Sequence, residues 1–248
     1  MKILVLMNGD ARRFADSAYC SYKPFIKVED KTIVELTLSS LPISDHELYF
    51  AIRKSHNDLF DVENILRKKF NNVKIIEFEK STRGNLETAL MSYEKISMEG
   101  DEPLLILDSD NYYNGAGFFD FISSKTEEEF ASLCCFEPID DSDKWCFVIE
   151  ENNKVVEIKE KDRDILHRGG KPLVGVFYFN KSSIFKREAE KIIKRKIMVK
   201  NEFYVSQIFK NFIKHDIIPV FVYKTDKAVP LGTPEDIRKV EDGKQTLF

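Results

Sequence analysis

The stretch KILVLM at positions 2–7 runs straight into Asn8-Gly9, and no other feature limits the fold as strongly. An apolar run this short is a buried strand and not a membrane span, which needs about 20 residues. A strand that empties into a turn at its carboxyl end is also where α/β folds place their ligands, so function is expected at this first loop. The pattern then alternates. Apolar periodicity predicts a helix over 32–41, a strand over 48–53, a helix over 59–70, a strand over 73–78, a helix over 85–96 and a strand over 104–107. Such alternation implies a parallel sheet with helices packed on it. Asp108-Ser109-Asp110 follows the last of these strands, and two acids at a strand end mark a candidate site.

The second half changes character. Strands are predicted over 131–137, 147–150, 155–159 and 174–180, joined by polar segments, which implies an antiparallel or mixed extension of the sheet. Between them RDILHRGGK, positions 163–171, is polar and contains glycine, and a mobile loop near the substrate side is expected there. Helices over 182–195 and 204–215 and a strand over 218–223 follow. Thr233-Pro234-Glu235-Asp236 then opens a short final helix, with an N-cap, a proline at the first helical position and acids in the first turn. A chain of 248 residues with 43% hydrophobic content can bury one substantial core, so a single domain over 1–248 is expected.

Charge narrows the partners. Thirty-eight Lys and Arg stand against 42 Asp and Glu, a net charge of -4 with both signs interspersed, which disfavours the concentrated basic face that nucleic acids require. No membrane span is long enough, so a soluble chain is expected. Cys20, Cys134, Cys135 and Cys146 show neither CxxC spacing nor a secretory leader, which points to a reduced cytoplasmic setting and to no zinc site. There is no internal repeat, low-complexity linker or hexapeptide array of the left-handed β-helix type.

The most informative stretch is Leu6-Met7-Asn8-Gly9-Asp10-Ala11-Arg12-Arg13-Phe14, followed ten residues after Arg13 by Lys23-Pro24. It resembles the signature of the sugar-phosphate nucleotidyltransferase family. Further matches stand in the family's order: Thr82-Arg83-Gly84-Asn85, Asp108-Ser109-Asp110-Asn111, Glu157 to Lys161, the glycine-bearing run from Val174, Asn201-Glu202-Phe203-Tyr204, and Leu231-Gly232-Thr233-Pro234-Glu235-Asp236. Taken singly, the cations and the Lys/Glu alternation are also what a solvated surface shows, and Gly84 is also what an ordinary turn before a helix shows. Their order over nearly the whole chain is what carries the resemblance.

The resemblance implies an α/β fold with a Rossmann-like mixed sheet flanked by helices, a nucleotide-binding half over 1–125 and an acceptor-binding half over 126–248. It implies a Mg²⁺-dependent enzyme that joins a nucleoside monophosphate from an NTP, with CTP favoured, to a phosphorylated small molecule and releases pyrophosphate. Arg13 and Lys23 would then act on the phosphates, where like charges must be brought together. Met7, Asn8, Gly9, Thr82, Gly84 and Asp108 would bind the nucleotide, Lys161, Gly175 and Glu202 the acceptor, and Asp110 the metal. Surface polysaccharide or capsule synthesis is the implied setting, with a homo-oligomer compatible and neither nucleic acid nor membrane as partner.

Two departures stand out. Ala11 occupies the place of a usual second glycine, so a wider or differently bent turn is expected. Pro230 occupies the place of a second metal-binding Asp, which leaves Asp108, Asp226, Glu202 or water to complete the metal's surroundings. Three alternatives stay open. One is an acceptor that is not a sugar, such as phosphocholine or a phosphorylated amino acid like phosphoglutamine. Another is a glycosyltransferase using the DxD at 108–110, and the third is a non-catalytic nucleotide-binding relative.

Overall fold

Ile3, Leu4 and Val5 are fully buried and Leu6 nearly so, so the first strand meets core on both faces. The computed structural model describes residues 1–14, 17–19 and 22–247, which leaves Cys20 outside the described residues. The first half comprises β1 (Lys2–Leu6), β2 (Lys27–Val28), β3 (Lys31–Thr32), α1 (Ile33–Leu38), β4 (Glu47–Arg53), α2 (Lys54–Phe60), α3 (Val62–Lys69), β5 (Val73–Phe78), α4 (Asn85–Tyr93), β6 (Leu104–Asp108), β7 (Asn111–Tyr113) and α5 (Phe118–Ser123). The second comprises β8 (Ala131–Cys135), β9 (Cys146–Glu151), β10 (Lys154–Glu160), α6 (Arg163–His167), β11 (Lys171–Phe179), α7 (Ser182–Lys194), α8 (Ser206–Lys214), β12 (Val220–Lys224), β13 (Ala228–Pro230) and α9 (Pro234–Glu241).

Among the described residues, one nine-stranded sheet runs in the order β5-β4-β1-β6-β11-β8-β12-β10-β9. Strands β5, β4, β1 and β6 are mutually parallel, as the alternation in the first half requires. Strand β11 runs antiparallel between β6 and β8, and the β9–β10 hairpin extends the far edge, so the sheet is mixed. The first residues of β11, Lys171 and Pro172, pair with β9, and its last residues pair with β6 and β8. The register with β8 shifts between Leu173 and Phe177, a bend in which Gly175 has φ +78°. That backbone conformation suits glycine.

The period of two along β1 sorts the core. Leu4 and Leu6 join one cluster with Phe179, Phe209 and Phe212 under α4, α7 and α8. Ile3 and Val5 join the other with Phe50 and Phe118 on the opposite face. Phe179 and Phe209, both fully buried, pack with ring centroids 5.1 Å apart, and each such side chain stabilises the fold by about 1.5–3 kcal/mol over exposure. A third cluster joins Phe14, Ile26 and Val28 from the N-terminal region to Leu231, Ile237 and Val240. It seats α9 beside the first loop. Thr233 caps α9 by accepting from the Asp236 N–H at 3.1 Å, as its sequence predicts.

Two expected elements differ. The helix over 59–70 is broken at Asp61, whose φ of 53° is left-handed; α2 ends there and α3 begins, with the Asn57 side chain accepting from the Glu63 N–H at 2.8 Å. The loop expected over 163–171 is instead the helix α6 followed by the start of β11. Asp162 caps α6 by accepting from the Asp164 N–H at 2.9 Å, the Gly170 N–H donates to Ile165 O at 2.8 Å, and Arg168 pairs with Glu157. Glycine here closes a helix end.

Candidate active site

The carboxyl ends of β1 and β6 lie side by side, and the segments leaving them form the floor of a cavity of about 540 Å³. Met7 continues β1 by donating its N–H to Ala51 O at 2.9 Å. In the turn that follows, Ala11 itself takes the left-handed φ of 50°, and the Phe14 N–H donates to its carbonyl at 2.8 Å. The left-handed conformation costs a non-glycine residue about 1–2 kcal/mol, strain concentrated at the site. Pro24 opens the turn Lys23–Phe25 and is buried, which fixes where Lys23 leaves the chain.

Lys23 Nζ donates to Asp110 Oδ2 at 2.7 Å and lies 5.9 Å from the Phe14 ring centroid. Asp110 is held by its neighbours. The Ser109 hydroxyl donates to Leu6 O at 2.9 Å, Asn111 Nδ2 donates to Val174 O and to Asp110 Oδ1 at 3.1 Å, and the Leu231 N–H donates to Asp110 O at 2.9 Å. Burial works to raise the Asp110 carboxyl, but the Lys23 ammonium, helped by Arg13, holds it below the usual carboxylate range. Burial pushes Asp108 up to about 7, and the neighbouring charge of Asp110 adds to the effect. Asn85 Nδ2 donates to Asp108 Oδ1 at 3.3 Å, and Asn85 Oδ1 accepts from the Val205 N–H at 2.9 Å.

Two glycines serve packing. A Cβ on Gly175 would sit 2.6 Å from Asp108 Oδ2, so the bend in β11 admits the acid only because position 175 has no side chain. Gly84, with φ +131°, is pressed against the Phe203 backbone, where a Cβ would meet Phe203 O at 2.3 Å. The Thr82 hydroxyl lies 2.6 Å from that of Thr88, and Asn8 Nδ2 donates to Lys80 O at 3.4 Å.

The opposite wall comes from the second half. Lys161 has φ 55°, and its N–H donates to Trp145 O at 2.8 Å. Its ammonium donates to the Tyr204 hydroxyl, which donates to Glu202, and it lies 4.6 Å from the Tyr204 ring centroid. Burial and Glu202 push the Tyr204 phenol up. Lys144 pairs with the buried Asp236 at 3.0 Å and lies 4.9 Å from the Trp145 ring centroid. Glu160 accepts from the Ser206 hydroxyl at 2.7 Å.

Every residue given a site role from the sequence lines this one cavity: Met7, Asn8, Gly9, Arg13, Lys23, Thr82, Gly84, Asp108, Asp110, Lys161, Gly175 and Glu202. Asp226, a candidate replacement for the acid missing at Pro230, lies outside it and accepts from Asn114 Nδ2 at 3.0 Å. The sequence reading gave no individual role to Glu160, Tyr204, Asp236, Lys144 or Trp145, which also line the cavity. Glu160, Tyr204 and Asp236 stood within quoted motifs, so their adjacency was a usable signal. Lys144 and Trp145 carried none.

Among the described residues no three His, Cys, Asp or Glu side chains converge as a cation site. Mg²⁺ takes one or two protein carboxylates and leaves the rest to phosphate and water, a role that the Asp108 and Asp110 carboxylates in the cavity fit. Asp110 already holds a cation, the Lys23 ammonium, and Asp108 beside it is destabilised as an anion in a way that added positive charge would relieve.

No curated protein matches the chain in sequence. Solved structures share its fold. A nucleoside-diphosphate-sugar pyrophosphorylase from Vibrio cholerae superposes with a TM-score of 0.77 at 17% identity, covering 96% of this chain and 98% of that one. An inositol-1-phosphate CTP transferase from T. maritima gives 0.73 at 16% identity, covering 98% and 96%. A CTP:phosphocholine cytidylyltransferase from Streptococcus pneumoniae gives 0.73 at 17% identity, covering 98% and 99%. The nucleotidyl transferase family profile matches residues 2–226, nearly the whole of a chain whose helix-flanked mixed sheet is the fold that the resemblance implied, and the protein belongs to that family.

Proposed function

We propose that this protein is a soluble, cytoplasmic, Mg²⁺-dependent nucleotidyltransferase that joins a nucleoside monophosphate, with CTP favoured, to a phosphorylated small molecule for surface polysaccharide or capsule synthesis. The observation that carries this reading is the meeting of Lys23 and Asp110 at 2.7 Å, with Arg13, Asp108 and the first loop around them in one cavity. An acceptor phosphate oxygen attacks the α-phosphorus of the NTP, the bond between the α-phosphorus and the bridging oxygen breaks, and pyrophosphate leaves with the electron pair. Lys23 and Arg13 offset the repulsion between the phosphates and stabilise the charge that develops on the transferring and leaving groups. Met7, Asn8 and Gly9 hold the nucleotide through their backbone, while Thr82 and Gly84 face its base and Asp108 supports the binding. Asp110, with Asp108 beside it, would hold the metal, which supplies charge neutralisation to the phosphates when bound. Lys161, Gly175 and Glu202 bind the acceptor.

The acceptor side supports a second reading of the substrate, a non-sugar acceptor bearing an amine. Carboxylates of Glu160 and Glu202 and the rings of Trp145 and Tyr204 line that wall, and both rings already carry lysine ammonium groups at 4.9 and 4.6 Å. Acids with aromatic faces suit an ammonium group. The test is a screen of the four common NTPs against sugar 1-phosphates, phosphocholine and phosphorylated amino acids, with pyrophosphate release as readout. Turnover with an NTP and any of these acceptors is expected; consumption of a nucleotide-sugar instead, or no pyrophosphate with any pair, overturns the reading.

A further inference from the structure

A residue outside the cavity lining grips the first loop. Arg53 is the last residue of β4, and its side chain is 14% exposed. Its guanidinium donates to Asn8 O at 2.6 Å, to Asn8 Oδ1 at 3.5 Å, and to the Asp10 carboxylate. One residue earlier in the loop, the buried Tyr22 hydroxyl donates to Met7 O at 2.6 Å. Tyr22 is itself wedged between rings, with centroids 5.3 Å from Phe25, 4.8 Å from His56 and 5.8 Å from Phe60. Two successive carbonyl oxygens of the loop are thus pinned by groups fixed in the body of the protein.

A trans peptide places its N–H opposite its C=O. With Met7 O turned to Tyr22, the Asn8 N–H of the same peptide points away from Tyr22, and with Asn8 O turned to Arg53, the Gly9 N–H points away from Arg53. Arg53 ends β4 and Tyr22 packs on His56 and Phe60 of α2, which follows it, so the two carbonyls are held from one side, and Asn8 and Gly9 both line the cavity. Successive N–H groups turned to one side form an anion-binding concavity. Asp10 is the electrostatic liability of this arrangement, an acid in the same loop, and Arg53 neutralises it while gripping the loop.

We propose that Arg53 and Tyr22 are positioning residues that set the peptide orientation of the first loop, so that the Asn8 and Gly9 N–H groups are presented to the phosphates of the NTP. This rests on the nucleotidyltransferase reading and adds what makes the loop a phosphate cradle. Neither residue touches substrate.

The test is calorimetry of the full chain with Mg-CTP and the other Mg-NTPs, each beside its phosphate-free nucleoside, for wild type, Tyr22→Phe, Arg53→Lys, Arg53→Ala and Arg53→Ala/Asp10→Asn. Tyr22→Phe keeps the wedged ring and loses only the hydroxyl, and thermal unfolding checks that each variant is folded. Weakening of NTP affinity is expected to be about 10- to 100-fold for Arg53→Ala, the scale of a lost charge-assisted hydrogen bond, and about 3- to 10-fold for Tyr22→Phe, which loses a neutral one, with nucleoside affinity unchanged. Arg53→Lys keeps the charge but not the fork, and is expected to recover only part of the affinity. Equal weakening of nucleoside and NTP overturns the proposal, since it reports general loosening. Full recovery in the Arg53→Ala/Asp10→Asn double variant overturns it too, because Arg53 would then act only by cancelling Asp10. NTP affinity of Tyr22→Phe and Arg53→Ala within about twofold of wild type overturns the positioning role alone, whereas no NTP binding by wild type overturns the nucleotide reading beneath it.

Discussion

On the first-loop wall the chain is held through its main chain: Met7 donates to Ala51 O, Tyr22 holds Met7 O, Arg53 holds Asn8 O, and Ser109 holds Leu6 O. On the opposite wall the contacts run mainly from side chain to side chain, from Lys161 to Tyr204 to Glu202 and from Ser206 to Glu160. The parallel strands of the first half end together and present their loops in a row, whereas β9, β10 and the bend of β11 present single side chains across a gap. The lesson is one of division. A wall built on backbone geometry suits the part of a reaction that stays constant, which in the proposed function is the triphosphate, and a wall built on exchangeable side chains suits the part that varies, which there is the acceptor.

The sharpest way to break this comparison is at the cations on the backbone-built wall. Lys23→Ala and Arg13→Ala are each expected to lower kcat by about 10²-fold or more, as loss of a transition-state charge contact does. Steady-state pyrophosphate release measures it. Near wild-type turnover in both folded variants would remove the phosphate role and, with it, the division between the walls.

The metal gives the next effect. With Pro230 where a carboxylate could stand and Asp110 paired to Lys23, free protein is expected to show no Mg²⁺ binding below about millimolar concentration, and to bind the ion measurably once NTP is present. Tight calorimetric binding to nucleotide-free protein would mean that the wall alone completes the ion's surroundings. Asp110→Asn is expected to abolish the nucleotide-dependent binding, because it keeps shape and removes charge.

Across the cavity, Tyr204→Phe unlinks Lys161 from Glu202. The KM for the acceptor is expected to rise about tenfold with NTP affinity unchanged, the cost of a hydrogen bond to a charged group. A fall in NTP affinity of similar size would show that the two walls are not independent. The smallest effect belongs to Ala11→Gly, which relieves a left-handed alanine at φ 50° and is expected to raise stability in urea unfolding by about 0.5–1 kcal/mol. Destabilisation would show that the turn owes its shape to something other than that strain.

Much of the fold was legible along the chain. The buried KILVLM strand, the alternation to Asp108, the mixed second half and the capped start of α9 follow from period-two and period-3.6 patterns and from cap chemistry, all of them local. The break at Asp61 and the helix α6 were not legible. Both turn on whether a polar residue takes a left-handed or a capping conformation, and several residues of either stretch satisfy the same pattern.

The site divides in the same way. The sequence by itself determined which residue types stand at the strand ends, because the loop after β1 and the acids after β6 are each contiguous in the chain. Only the tertiary structure decided what holds them: that Arg53 reaches Asn8 and Asp10, that Gly175 is empty so that Asp108 fits, that Tyr204 bridges Lys161 and Glu202, and that Asp226 stands outside. Apart from Tyr204 and Glu202, which are two residues apart, those partners lie tens of residues or more apart along the chain. Pattern reports the facing of a residue within its own element, and only the order and register of the strands bring distant elements together.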